Sequence, residues 1–204
     1  MHTDKFDDIL FDYKSKYGKC VLELGPGETK QFEHCIGLDI MAKESVDYVC
    51  DLSNGFSFIP DSSIDEIRSS HFLEHIDNLP NFLREVSRVL KPNGKMINIV
   101  PHFSNPYYYS DYTHKSFWGL YSISYFSKNS FFKRRVPTYY NDLDFDIVDV
   151  KLIFRSDFRL RNLFKKFLTR VFNSSNYMKE LYEETFTYIF PCYEIYFEIQ
   201  KTSK

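Results

Sequence analysis

The chain has 204 residues, enough for one domain with a substantial core, and its 26 bases nearly balance 28 acids, which argues against a nucleic-acid partner. Hydrophobic residues make up an ordinary 43%, but 21 Phe and 16 Tyr raise the aromatic share to 19%, and most of these rings lie after residue 100. Cys20, Cys35, Cys50 and Cys192 are scattered without a C-x-x-C pair, so no disulfide framework is expected and a reducing cytoplasm is. MHTDKFDDIL lacks a basic start followed by an apolar run, so no signal peptide is expected. No apolar run approaches the roughly 18 residues of a membrane span.

In chain order, Lys19–Leu24 reads as a short apolar strand that stops at Gly25-Pro26-Gly27. Ile36–Ile40 and Val46–Cys50 read as the next two strands, and Ser63–Ser70 as the fourth. Asn78-Leu79-Pro80 opens a helix with a capping Asn and a first-turn Pro. Phe82, Leu83, Val86, Val89 and Leu90 give that helix one apolar face, and Lys91-Pro92-Asn93-Gly94 ends it before a fifth strand, Lys95–Val100. Strands alternating with connectors predict a parallel sheet with helices on its faces. Residues 101–144 have no long period, Phe145–Phe154 alternates as a strand, 155–185 reads as helical, and Tyr193–Gln200 is a final strand.

Open parallel sheets bind ligands beyond the carboxyl ends of their strands. Gly25 and Gly27 sit at such an end, where glycine permits close backbone approach and Pro26 stiffens the turn. As a plain turn the motif says little. Three acids add to it. Asp39 ends the second strand, where a carboxylate can accept both hydroxyls of a ribose; Asp51, followed by Leu52, ends the third, in reach of an adenine amino group; Glu23 precedes the glycines, near where an amino-acid ammonium would lie. A nucleoside carrying an amino acid answers all three.

The ordered runs V-L-E-L-G-P-G, G-L-D-I, D-L, L-E-H-I and L-K-P-N-G-K, spread over residues 19–100, resemble the class I S-adenosylmethionine-dependent methyltransferases. The resemblance implies an α/β, Rossmann-like, seven-stranded, mostly parallel sheet with an antiparallel last strand, here with an aromatic-rich cap insertion. It implies a single domain over 1–204, with a cofactor-binding half at 1–100, an aromatic substrate loop at 101–144 and a basic helical insertion at 155–185. It also implies S-adenosylmethionine as cofactor, held by Glu23, Gly25, Pro26, Gly27, Asp39, Ile40, Asp51, Leu52 and His71. Two departures count against a nicotinamide enzyme: position 30 is Lys rather than a third glycine, and Asp39 comes only 14 residues after Gly25. With eight residues between Gly27 and Ile36, the first crossover has room for two helical turns at most.

His71-Phe72-Leu73-Glu74-His75 matches the zinc-peptidase pattern H-x-x-E-H, but it follows a strand instead of lying on one helix face, so no metal is expected. Pro101-His102-Phe103-Ser104 and Asp111-Tyr112-Thr113-His114-Lys115-Ser116-Phe117 resemble a methyltransferase subfamily associated with bacterial surface glycans. Dense tyrosines read first as packing, yet the polar residues among them lie at the ligand edge. The expected acceptor is a hydroxyl or phosphate oxygen of a surface-polysaccharide sugar or its precursor. His114 or His102 is the expected base, with Asp111 orienting it, and Tyr108, Tyr112 and Lys115 contact the acceptor. Were the acceptor a phosphate or carboxylate, Lys115, Arg134 and Arg135 would supply charge. The alternative is a non-catalytic module that keeps the fold.

Between Arg155 and Arg170 six bases face one acid, interleaved with Phe and Leu at helical spacing. Packed on the domain, this helix is a cap; unpacked, it is an interfacial helix for peripheral contact with an anionic membrane.

Overall fold

The computed structural model describes residues 3–139, 141–143 and 145–202. Its strands are β1 Val21–Leu24, β2 Ile36–Asp39, β3 Tyr48–Val49, β4 Ile64–Ser70, β5 Leu90–Pro101, β6 Phe145–Ile153 and β7 Glu194–Lys201. They form one sheet in the order β3-β2-β1-β4-β5-β7-β6. The first five run parallel, and β7 runs antiparallel between β5 and β6. This is the α/β seven-stranded arrangement expected, with the antiparallel strand last. Every residue of β1 is buried, as an inner strand covered on both faces must be.

The helices are α1 Thr3–Tyr17, α2 Leu79–Val89, α3 Arg159–Phe172 and α4 Asn176–Leu181. Helix α2 starts as its sequence dictates: Asn78 Oδ1 accepts from the Asn81 N–H at 3.2 Å. Phe82, Leu83, Val86 and Val89 are buried against the sheet. Helix α1 has no counterpart in the sequence reading, and it buries Phe6, whose ring meets Tyr48 and Phe58 edge-on at 5.0 Å. The region 155–185 is not one helix. Asn173-Ser174-Ser175 breaks it, Ser175 caps α4, and α4 runs on into a π-turn, Tyr182–Phe186. The crossover from β1 to β2 holds no helix at all.

The aromatic segment is pinned at two points, where Trp118 bridges to His102 and Ser127 to Phe145. Trp118 is buried and stacks on Phe197 of β7 at 5.4 Å. The expected boundary of this segment at 144 falls outside the described residues.

Candidate active site

The carboxyl ends of β1, β2 and β4 converge on the glycine turn. Gly25 N–H donates to the Leu38 carbonyl at 2.9 Å, which ties the turn to β2. Gly25 and Gly27 have φ of 65° and 61°, the left-handed region that favours glycine. Their empty sides differ. A Cβ on Gly25 would lie 2.7 Å from Phe72 Cδ2, so that glycine makes room for an aromatic ring of the protein. A Cβ on Gly27 would meet nothing within 4 Å, so only there does the missing side chain leave the backbone open to a ligand.

The acids have partners of their own. Asp39 accepts from Gly27 N–H at 3.2 Å and Met41 N–H at 3.0 Å, and it stays partly exposed beside the exposed Ile40. Asp51 caps the 3-10 turn Leu52–Asn54, accepting from the Ser53 N–H at 2.9 Å and hydroxyl at 2.6 Å. Leu52 is buried in the core. Glu23 departs from its expected part. It is buried, and its carboxylate accepts from Gln31 N–H at 2.7 Å and from the Cys35 thiol at 3.0 Å, so it holds the crossover loop in place of a ligand's ammonium. The open face at Gly27, the carboxylate of Asp39 and the exposed Ile40 nevertheless fit a nucleoside laid along this edge. A concavity between α1 and the crossover includes none of Gly25, Gly27, Asp39 or Asp51 in its lining.

His71 stands at the end of β4 between two carboxylates, 3.0 Å from Glu194 Oε1 through Nε2 and 3.3 Å from Glu74 Oε1 through Nδ1. Those acids, Glu194 first and Glu74 next, push its pKa up to about 9 against the opposing effect of burial. The imidazole is therefore cationic at neutral pH.

The two candidate bases part company. His102 is fully buried. Its Nδ1 accepts from Ser104 N–H at 3.0 Å, which puts its proton on Nε2, 3.0 Å from Glu183 Oε2. With both nitrogens engaged, it cannot take a proton from an acceptor. The partner Glu183 comes from the π-turn, also accepts from Leu120 N–H at 2.8 Å, and escaped the sequence reading because nothing in Y-E-E-T-F marks which acid turns inward. His114 is half-buried, with Nδ1 3.0 Å from the Tyr108 carbonyl and Nε2 3.6 Å from Asp111 Oδ2. The hydroxyl and N–H of Thr113 lower the pKa of Asp111 below its ordinary value. Tyr108, expected to face the acceptor, is buried, with its hydroxyl donating to the Ser116 carbonyl and its ring 4.6 Å from His114. Tyr112 is almost wholly exposed, and Lys115 reaches Asp77 at 3.3 Å. Beside this cluster, between α2 and the aromatic segment, lies a cavity of about 320 Å³ lined by Pro80, Phe117, Trp118 and Tyr125.

Residues 22–98 match the family model described as a methyltransferase domain. No curated protein matches the chain. Its fold is similar to that of a SAM-dependent methyltransferase from Archaeoglobus fulgidus, 20% identical with a TM-score of 0.55, the match covering 98% of this chain and 94% of that one. It is similar too to an S-adenosylmethionine-dependent methyltransferase from Mesorhizobium loti, 13% identical with a TM-score of 0.53, covering 93% and 95%. A third likeness is to phosphoethanolamine N-methyltransferase 2 of Haemonchus contortus in complex with S-adenosyl-L-methionine, 14% identical with a TM-score of 0.51, covering 97% of this chain and 53% of that one. These likenesses establish the fold, while the matched domain runs from β1 through β5 and takes in the glycine turn, Asp39, Asp51 and the post-β4 histidines. Residues 22–98 thus carry a methyltransferase domain, on the fold shared with these S-adenosylmethionine-dependent enzymes.

Proposed function

We propose that the chain methylates an oxygen, hydroxyl or phosphate, on a surface-polysaccharide sugar or its precursor. The bound sulfonium supplies an electrophilic methyl group, so the protein's task is alignment for in-line attack. Gly27, Asp39 and Ile40 would hold the nucleoside, and Asp51 would lie near its base. The observation that carries the acceptor assignment is the polar group His75, Asp111, His114 and Lys115, set among rings just past β4 and β5. Sugars are recognised by such mixtures of apolar faces and directed polar atoms. We assign activation of the acceptor oxygen to Nε2 of His114, with the Tyr108 carbonyl orienting the ring through Nδ1 and Asp111 beside Nε2.

The test is transfer of labelled methyl to nucleotide sugars and lipid-linked oligosaccharides. Incorporation on a sugar or phosphate oxygen, cut at least 100-fold by His114→Ala, is the expected result. Transfer to an amine, or full activity in that variant, overturns the assignment.

We further assign α3 to a surface of anionic lipid. Of its apolar residues only Leu168 and Phe172 are buried, while Leu160, Leu163, Phe164 and Phe167, with Phe158 just before the helix, are exposed. Arg155, Arg159, Arg161, Lys166 and Arg170 surround them, also exposed. Rings and aliphatic chains of this size would enter the acyl boundary while the bases meet phosphate. No described helix is long and apolar enough to cross a membrane. Flotation with phosphatidylglycerol vesicles at low salt tests this; protein that floats equally with neutral vesicles, or not at all, overturns it.

A further inference from the structure

The turn after β4 holds a charge that nucleoside binding leaves unexplained. Glu74, in the 3-10 turn Leu73–His75, is fully buried, yet neither carboxylate oxygen takes a hydrogen bond from a described residue. His71 comes within ion-pair distance of Oε1 but is not hydrogen-bonded to it. The His71 imidazolium offsets part of its charge, but a fully buried carboxylate whose oxygens accept no hydrogen bond remains costly.

Two imidazoles face this carboxylate, and their surroundings fix their tautomers. The Tyr108 carbonyl can only accept, so His114 Nδ1, 3.0 Å away, carries the proton and Nε2 keeps its lone pair. The Thr113 hydroxyl proton is committed to Asp111 Oδ1 at 2.6 Å, so its oxygen accepts from His75 Nδ1 at 3.0 Å. His75 Nε2 is thereby a lone pair as well. One ligand atom from each of Glu74, His75 and His114 lies within 4.8 Å of the other two, and the rings sit 5.0 Å apart at 61°. Asp111 Oδ2 adds a further acid 3.6 Å from His114 Nε2, so carboxylates and imidazoles gather at this spot. A proton on one ring would answer one of these groups; a divalent cation held by Glu74, His75 and His114 would answer the cluster.

We propose that Glu74, His75 and His114 form a divalent transition-metal site. Two imidazoles and one carboxylate suit zinc and its first-row neighbours rather than calcium or magnesium. In such sites the second ring nitrogen of a ligating His donates to a carbonyl or other acceptor, as both do here. The two chain segments are already latched, since Lys115 and Ser116 N–H both donate to the Glu74 carbonyl, at 2.7 and 3.2 Å. Tetrahedral zinc with bonds of about 2.1 Å sets its ligands about 3.4 Å apart, so binding draws the three groups inward by about an ångström. The donor set is not that of the H-x-x-E-H pattern, because His71 turns to Glu194 and His114 takes its place. Three protein ligands leave coordination positions open. On the proposed function, on which this last step rests, an open position would take the acceptor oxygen; the cation would make its proton more acidic and release it to solvent, and His114 would serve there as a ligand in place of the base.

The test uses the whole chain, stripped by chelator and then dialysed against Zn²⁺ or Co²⁺ alone, with neither cofactor nor acceptor. Elemental analysis is expected to find a single equivalent, and the cobalt form to absorb in the visible as a low-coordinate nitrogen–oxygen site. Glu74→Gln and His114→Ala each lower affinity by at least 100-fold, and Thr113→Val by about 10–100-fold, as loss of an outer-shell partner does. The two loop variants keep the test readable should Glu74→Gln not fold. Failure to take up either metal, or uptake that His114→Ala leaves unchanged, overturns the site. Calorimetry with S-adenosylmethionine on the same preparations separates the two readings: cofactor binding without metal uptake defeats the site alone, and metal uptake without cofactor binding defeats the methyl-transfer reading alone.

Discussion

Replacing each glycine of the turn by alanine should hurt the protein in different ways. At Gly25 the new methyl group meets both a left-handed backbone and Phe72 Cδ2 at 2.7 Å. The backbone term costs about 1–2 kcal/mol and the overpacking about 1–3 kcal/mol, because Phe72 is itself wedged against Phe82 at 5.7 Å. A loss near 3 kcal/mol in a chain of this length lowers Tm by about 6–12 °C. Gly27→Ala keeps only the backbone term, about 1 kcal/mol and about 3 °C, since its Cβ points into open space. Its main effect is on cofactor binding, where the methyl group would obstruct the ligand. Thermal unfolding of Gly25→Ala, Phe72→Ala and the double variant, followed by circular dichroism, isolates the clash. Removing the ring should recover about 2 kcal/mol of the Gly25→Ala loss, a coupling well above the scatter of independent sites. If the two losses simply add within about 0.5 kcal/mol, Phe72 is not the reason for glycine at position 25.

Asp39→Ala removes the carboxylate that fits a ribose and frees the N–H groups of Gly27 and Met41; calorimetry should show S-adenosylmethionine binding weakened by about 100-fold, and a change under threefold counts against the assignment. Arg88→Leu strips hydrogen bonds from the carbonyls of Phe56 and Ile59, both buried residues, and should cost about 2–4 kcal/mol in urea unfolding. The Arg88 guanidinium holds the Glu85 carboxyl below its ordinary value against the effect of burial, helped by Phe56 N–H. That stabilisation is complete above the ordinary glutamate pKa and is lost as pH falls through the lowered one. Acid unfolding of Glu85→Gln should accordingly be shallower than that of the parent; identical profiles would refute the linkage.

The parallel half of the sheet was legible because its signals are local. Short apolar runs stop at Gly25, Asp39 and Asp51, and the strand ends fall within a few residues of those marks. Helix α1 was also written in the chain, as Phe6, Ile9, Leu10, Tyr13 and Tyr17 at helical spacing, but charged residues dilute that stripe and only its tertiary contacts make it plain. The orientation of polar side chains was not legible. Glu23 turning inward to Gln31, 8 positions away, His102 meeting Glu183, 81 positions away, and Glu74 left without a hydrogen-bond donor among the described residues all depend on tertiary placement. A strand-end acid looks the same in sequence whether it meets a ligand or its own backbone.

The place of β7 has a consequence for how the chain reaches this state. β7 is the last strand in sequence, yet it fills the slot between β5 and β6, pairing Lys95 with Gln200 on one side and Phe145 with Lys201 on the other. Until it arrives, β5 and β6 have no partner strand in common, and each presents an unpaired edge. The pairing with β5 closes a loop of about a hundred residues, so its entropic cost comes before any contact rewards it. Folding therefore divides in time: the cofactor half can order early from nearby contacts, while the acceptor half waits on the final strand and is the stage most exposed to edge-to-edge aggregation.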